Sequence, residues 1–143
     1  MSRIEWRHNG RRILLPILIL RPDATDLTHI AVTALLDTGA NVSGVVRRIA
    51  DDLSLEPTGK RPLISARGEI QVERYLFRIG LSRQAPDDGP SFPYVFEETL
   101  GFELGNSSVL GDGTKLDAVL GMDILRQCDF EMTRTGTCRL TFG

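Results

Sequence analysis

The chain has 143 residues, 41% of them hydrophobic and 25% charged, with a formal net charge of −2. That length fits one domain spanning residues 1–143 with a real apolar core, and the slightly acidic balance excludes partners attracted by bulk positive charge, nucleic acid and anionic membrane among them. The arginines fall singly or in short pairs such as Arg11-Arg12 and Arg47-Arg48, which reads as solvated faces and not as a phosphate-binding stripe.

β-patterns dominate along the chain. Ile4 and Trp6 precede Asn9-Gly10 and a strongly apolar run follows, so the spacing predicts a two-residue hairpin leading into a strand over 12–20. The run Ile13–Leu20 is too short to span a bilayer and no small-residue cleavage site follows it. Pro16 in its middle favours an edge or bent strand. A cytoplasmic protein with no membrane insertion is expected. A turn-rich loop over 21–26 joins this strand to a second over 29–36, which runs straight into Asp37-Thr38-Gly39-Ala40. Val45, Val46, Ile49 and Leu53 then recur at helical spacing, with Pro57 and Gly59 ending the helix.

Strands are predicted at 61–66 and 69–81, where Ile70 and Val72 alternate. Pro, Gly, Asp and Ser punctuate 82–114, which reads as loops with one or two short strands, Phe92, Tyr94 and Phe96 marking one of them. The sequon Asn106-Ser107-Ser108 carries no weight without a secretory signal. Leu116–Gly121 reads as a buried strand ending at a glycine, and Met122–Gln127 as a short helix with Asp123 as its N-cap. Phe130–Met132 and Cys138–Phe142 flank Thr133–Gly136, a hairpin signature. The class is mainly β with two short helices. Cys128 and Cys138 read as buried thiols or cross-strand neighbours, since two cysteines make no disulfide framework. With only His8 and His29 beside them, neither a zinc site nor any other cofactor is expected.

The segment 35–40 is the most informative. A carboxylate carried by an apolar strand into a turn of small residues is an unusual placement, because burial without partners favours its neutral form. Gly39 and Ala40 add no bulk, so another backbone or a substrate can approach Asp37 closely. Taken alone, Asp-Thr-Gly is also an ordinary turn between strands.

Leu35-Leu36-Asp37-Thr38-Gly39-Ala40 resembles the active-site loop of retropepsin-type aspartic proteases. Val119-Leu120-Gly121 is similar to their second signature, and Arg67–Tyr75 to the tip and descending strand of the flap hairpin. The likeness covers roughly residues 12–142. Two positions depart from the retroviral pattern: Met122 stands where a basic residue follows the glycine, and Asn41 replaces the acidic residue that would pair with it. Gly121-Met122-Asp123 looks closer to cellular and bacterial relatives. The resemblance implies a closed retropepsin-like β-barrel with a flap hairpin, one or two short helices and an active site on a homodimer two-fold axis. It implies Asp37 as the catalytic residue and Thr38, Gly39 and Gly121 as active-site support. Gly39, Ala40 and the flap tip Ser65, Ala66, Arg67 and Gly68 would bind a polypeptide substrate.

The dimer follows from the chemistry. Aspartic proteolysis uses two carboxylates about 3 Å apart that share one proton, since like charges that close cannot both ionise. These residues hold one Asp-Thr-Gly and no Asp-Ser-Gly, Asp112 lies in a Gly-rich turn, and Asp117 lacks a following small-residue loop. The resemblance therefore implies that the second carboxylate comes from a second copy. The competing class is a catalytically silent peptide-binding or assembly module with the same fold; a third reading is an excised domain that depends on a membrane or ubiquitin-binding partner. Flap and signature glycine also have plain alternatives, an exposed hairpin and a closely packed core residue.

Overall fold

Strands β1 (Ser2–Arg7), β2 (Leu14–Leu20) and β3 (His29–Leu36) open the chain of this computed structural model, which describes residues 1–65, 68–82, 92–105 and 113–143. Apolar alternation governs the first pairing. Leu15, Ile17 and Ile19 of β2 and Val32, Ala34 and Leu36 of β3 all turn inward and are buried, and the two strands pair antiparallel from Leu14↔Leu35 to Leu20↔His29. The connecting loop is built on two short side-chain turns, Thr25 N–H to Asp23 Oδ1 and Thr28 N–H to Asp26 Oδ1, each 2.9 Å. The buried Arg78 side chain clamps that loop by donating to the Arg21 carbonyl at 2.7 Å.

Next come β4 (Gly44–Val45), α1 (Arg47–Asp52), β5 (Pro57–Ser65), β6 (Gly68–Leu81), β7 (Tyr94–Val95), β8 (Thr99–Glu103), β9 (Ala118–Leu120), α2 (Met122–Leu125), β10 (Asp129–Met132) and β11 (Thr137–Phe142). The pairing runs β2-β3-β9-β4-β8-β6 and returns from β6 to β2, so six strands close into a ring. Closure removes the free edges that an open sheet would present. Two of the contacts are parallel, β3 with β9 and β4 with β8, which brings chain segments far apart in sequence side by side. Pro16 lies where β2 has β3 on one side only, because pairing with β6 begins at Leu18; its missing N–H leaves no ladder bond unmade. The interior is filled by Phe77, Ile79 and Leu81 of β6, Leu120 of β9, and Ile49 and Ala50 of α1. Each large side chain buried there stabilises the fold by roughly 1.5–3 kcal/mol.

The hairpin expected around Asn9-Gly10 does not form. β1 pairs instead with β11, from Ser2↔Phe142 to Arg7↔Thr137, in a separate three-stranded sheet of order β1-β11-β10. Asn9 still makes a turn, its Oδ1 accepting the N–H groups of Arg11 and Arg12 at 2.9 and 2.8 Å, but that turn redirects the chain and β2 takes β3 as its neighbour. Ile4 and Trp6 pack against the core from this sheet, with the Trp6 and Phe130 rings 6.3 Å apart. The helix expected over 45–53 is shorter, and Val46 supplies no side-chain cap. Two ion pairs anchor its first turn: Arg47 to the buried Glu103, and Arg48 to the buried Asp117 at 2.8 Å. No described helix is long and apolar enough to cross a membrane.

Gly101 marks the tightest point of the wall. A Cβ there would meet the Phe77 ring at 2.4 Å and the Ser43 carbonyl oxygen at 2.5 Å, and neither a core ring nor a backbone can step aside cheaply. Gly101→Ala should therefore destabilise the protein by about 1–3 kcal/mol, read as a lower denaturation midpoint at unchanged slope. A midpoint equal to wild type would show that the wall relaxes around the methyl group.

Candidate active site

β3 carries the chain to Asp37 between two fixed neighbours. On one side the Leu36 N–H donates to the Ile13 carbonyl at 2.9 Å; on the other the Asp37 N–H donates to the Leu120 carbonyl of β9 at 3.0 Å. The turn closes on itself when the Ala40 N–H reaches the Asp37 carbonyl at 3.2 Å. The Gly39 N–H donates to Asp37 Oδ1 at 2.8 Å, while Oδ2 has no donor among the described residues. Asp37 and Ala40 are half-buried, and Thr38 and Gly39 are exposed. The carboxylate is thus neither deeply buried nor unpartnered in the single chain, contrary to the environment expected from its apolar approach.

The far side of the loop is stitched to the start of α2. Met122 and Asp123 donate their N–H groups to the carbonyls of Ala40 and Asn41 at 2.8 and 3.1 Å. Gly121 lies flat against this crossing: a Cβ would sit 2.7 Å from the Val42 carbonyl group and 2.9 Å from the Ala40 oxygen. The fold therefore brings Gly121 against the Asp37-Thr38-Gly39-Ala40 loop, as an absence of side chain that lets two backbones touch.

Asp123 is not the N-cap expected from sequence; Gly121 occupies that place without a side-chain cap. The Asp123 carboxylate reaches across the chain, accepting the Ser43 N–H at 3.0 Å, the Ser43 hydroxyl at 2.7 Å and the Thr99 hydroxyl at 2.5 Å. Ser43 Oγ in turn accepts the Gly121 N–H at 3.0 Å. Neither Ser43 nor Thr99 is legible as a site residue in the sequence, because the partners lie 80 and 24 residues away from Asp123.

The other groups that could carry chemistry are occupied or out of place. Asp117 is buried and paired with Arg48. Cys128 and Cys138 are free thiols; burial pushes Cys128 up to about 11 and raises Cys138 as well, so neither offers a thiolate near neutral pH. His29 lies at the exposed start of β3, with Nδ1 against the Leu27 carbonyl, and His8 accepts the Gly10 N–H on Nδ1 at 2.9 Å. Among the described residues no cluster of His, Cys, Asp and Glu could hold a metal.

The region expected to form a flap is a long antiparallel hairpin of β5 and β6, paired from Lys60↔Glu73 out to Ser65↔Gly68. Both strands run further than expected, β5 starting at Pro57 and β6 at Gly68. Ala66 and Arg67 lie outside the described residues. Ile64 and Ile70 near the end of the hairpin are 83% and 51% exposed, an apolar surface that a lone chain leaves uncovered. A cleft of about 620 Å³ separates this hairpin from α1 and β8, with Leu63, Ile70 and Val72 on one wall and Arg47, Phe102 and Leu104 on the other. A second cleft, about 490 Å³, adjoins Asp37 itself.

No protein-family model and no curated protein sequence matches the chain. Solved structures do. A retropepsin-like aspartic protease from Rickettsia conorii aligns with a TM-score of 0.59 over 99% of this chain and 91% of its own, at 16% identity. EIAV protease, solved with the inhibitor HBY-793, aligns at a TM-score of 0.47 over 85% of this chain and 91% of its own, at 18% identity. The fold assignment rests on the first of these together with the six-strand ring: the chain has the retropepsin-like fold.

Proposed function

We propose that the protein is an aspartic endopeptidase that works as a homodimer, hydrolysing peptide bonds with a water held between two copies of Asp37. The observation that carries this reading is the position of Asp37: it stands at the end of β3, fixed through its backbone to β9, with one oxygen held by the Gly39 N–H and the other open. A carboxylate with one oxygen fixed and one free is oriented and still able to exchange a proton. Asp117 and Asp123 are engaged in internal contacts, so the nearest candidate for the second carboxylate is Asp37 of another copy. Thr38, exposed and without a side-chain hydrogen bond to any described residue, is free to bond across the two-fold axis. The hairpin of β10 and β11 with β1 is the proposed interface. Peptide lies extended beside Gly39 and Ala40, under the hairpin of β5 and β6, with Ser65, Ala66, Arg67 and Gly68 as its proposed contacts, and pairs with main chain as an added strand would.

One carboxylate does the work of a general base on water while its neighbour donates to the scissile carbonyl. Asp37→Asn should lower cleavage of a peptide library by about 10⁴-fold or more, with thermal unfolding close to wild type. Full activity in the pure variant would overturn the assignment, and peptide binding by a wild type that cuts nothing would favour a silent binding module.

Because each chain holds half a site, activity per chain should fall as the protein is diluted through its dimer dissociation constant. Sedimentation showing an active monomer would refute the shared site. The rate of cleavage should peak on the acidic to near-neutral side, where one proton is shared by two adjacent carboxylates; a rate still rising at pH 8 is incompatible with that arrangement.

A further inference from the structure

The cleft of about 490 Å³ beside Asp37 has walls of opposite character. Leu35 and Met132 form apolar wall, while His8, Arg11 and Arg12 bring basic groups, and Asp37 is the one acidic residue among its described lining. This stands against a chain whose formal net charge is −2, so the positive character is local. The basic segment is also well fixed. Asn9 Oδ1 holds the backbone of Arg11 and Arg12, and the Ile13 carbonyl takes the N–H of Leu36, the residue before Asp37.

His8 Nδ1 accepts from Gly10 at 2.9 Å, so in the neutral ring the proton sits on Nε2, which is left as a donor. The Arg11 side chain is exposed and pairs with no acidic group among the described residues. Arg7 adds charge close by, its guanidinium donating to the Thr135 carbonyl at 2.6 Å next to the turn that His8 also approaches. A guanidinium fork and an imidazole N–H above an apolar floor suit a carboxylate on a short methylene stem.

We propose that this cleft is a specificity subsite for an acidic side chain of the peptide, glutamate above all, with Arg11 and His8 donating to its carboxylate and its methylenes lying on Leu35 and Met132. The inference rests on the peptidase reading given above. Asp37 repels a second carboxylate placed against it, so the acidic residue flanks the scissile bond and is not part of it. Arg11 is the specificity residue and takes no part in the bond cleavage.

The test uses the full-length protein and peptides that differ only by Glu or Gln at each position flanking the cleaved bond. Glu should be preferred at one position by about tenfold in kcat/KM, the ratio that about 1.4 kcal/mol provides, and the preference should shrink as salt is raised. Arg11→Ala should abolish it, Arg11→Lys should keep part of it, and Arg11→Glu should invert it toward Lys at the same position. Cleavage without a Glu preference would overturn the subsite and leave the peptidase reading standing. If the wild type cuts none of the peptides, that reading fails, and fluorescence anisotropy of the same Glu and Gln peptides decides the subsite: tighter Glu binding lost in Arg11→Ala upholds it, and equal binding overturns it. Dimer dissociation in Arg11→Ala with the Glu preference intact per remaining dimer would place Arg11 against the second copy and overturn it; dissociation with the preference lost per remaining dimer would uphold it.

Discussion

The carboxylate of Asp123 is the interaction on which the geometry around Asp37 depends. It accepts hydrogen bonds from the backbone and hydroxyl of Ser43, from Thr99 at the start of β8 and from the Ile124 N–H of α2. Three chain segments, none adjacent in sequence, are thereby tied to one anion. Hydrogen bonds to a charged acceptor contribute about 1.5–3 kcal/mol each, and the larger effect is the penalty for leaving a buried donor unmade. Ser43 is fully buried, so its hydroxyl has no water to turn to if the carboxylate is lost. Through Ser43 Oγ and Gly121 N–H the constraint reaches the crossing beneath Ala40. The position of the Asp-Thr-Gly loop is overdetermined, which is what a site needing placement within a fraction of an ångström requires.

Much of the fold is legible in the sequence wherever a strand has one buried face. The apolar runs over 12–20 and 29–36 read correctly as strands, and their register is fixed because one-residue slippage would turn Ile17 or Val32 outward. The C-terminal hairpin reads correctly because Thr133–Gly136 carries its own turn chemistry, with Gly136 at φ +99°. Asn9-Gly10 shows the limit of such signals. A turn can be recognised locally, but which strand it delivers to which partner is decided by pairing at a distance, and β11 offers β1 six residue pairs that no local pattern announces. β4 is invisible because it is two residues long, and β8 is legible only as an unplaced short strand within 82–114, since it is punctuated by Gly101, whose lack of a side chain is needed by Phe77 and Ser43.

The candidate site divides the same way. Asp37 and Gly121 stand out in the sequence because each lies in a short motif whose spacing carries meaning. Ser43 and Thr99 do not, because a hydroxyl and a carboxylate separated by 80 residues share no local signature. Asp123 is legible as the last position of Gly121-Met122-Asp123 and as something acidic at the head of a short helix, where a cap is the commonest use of such a residue. The tertiary contacts with Ser43 and Thr99 outcompete that local role because they pair one carboxylate with two hydroxyl donors, one of them on the fully buried Ser43.

The ring topology explains why these distant groups can meet at all. An antiparallel meander places neighbours in sequence side by side, so a loop is held only by its own flanks. Here the parallel contacts β3–β9 and β4–β8 interleave two halves of the chain. The strand that delivers Asp37 is flanked by the strand that ends at Gly121, and the two-residue strand after the loop is wedged between β8 and β9. The loop therefore leaves β3, crosses beneath Gly121 and re-enters the ring at Gly44 within a handful of residues. Closure of the ring through β2 and β6 prevents either flank from drifting. Among the described residues Oδ2 of Asp37 has no donor, and Thr38 and Gly39 are exposed. A fold that holds the backbone on both flanks of a carboxylate, and gives one of its oxygens no donor among the described residues, confines the remaining freedom of the loop to that oxygen and to the exposed Thr38 and Gly39.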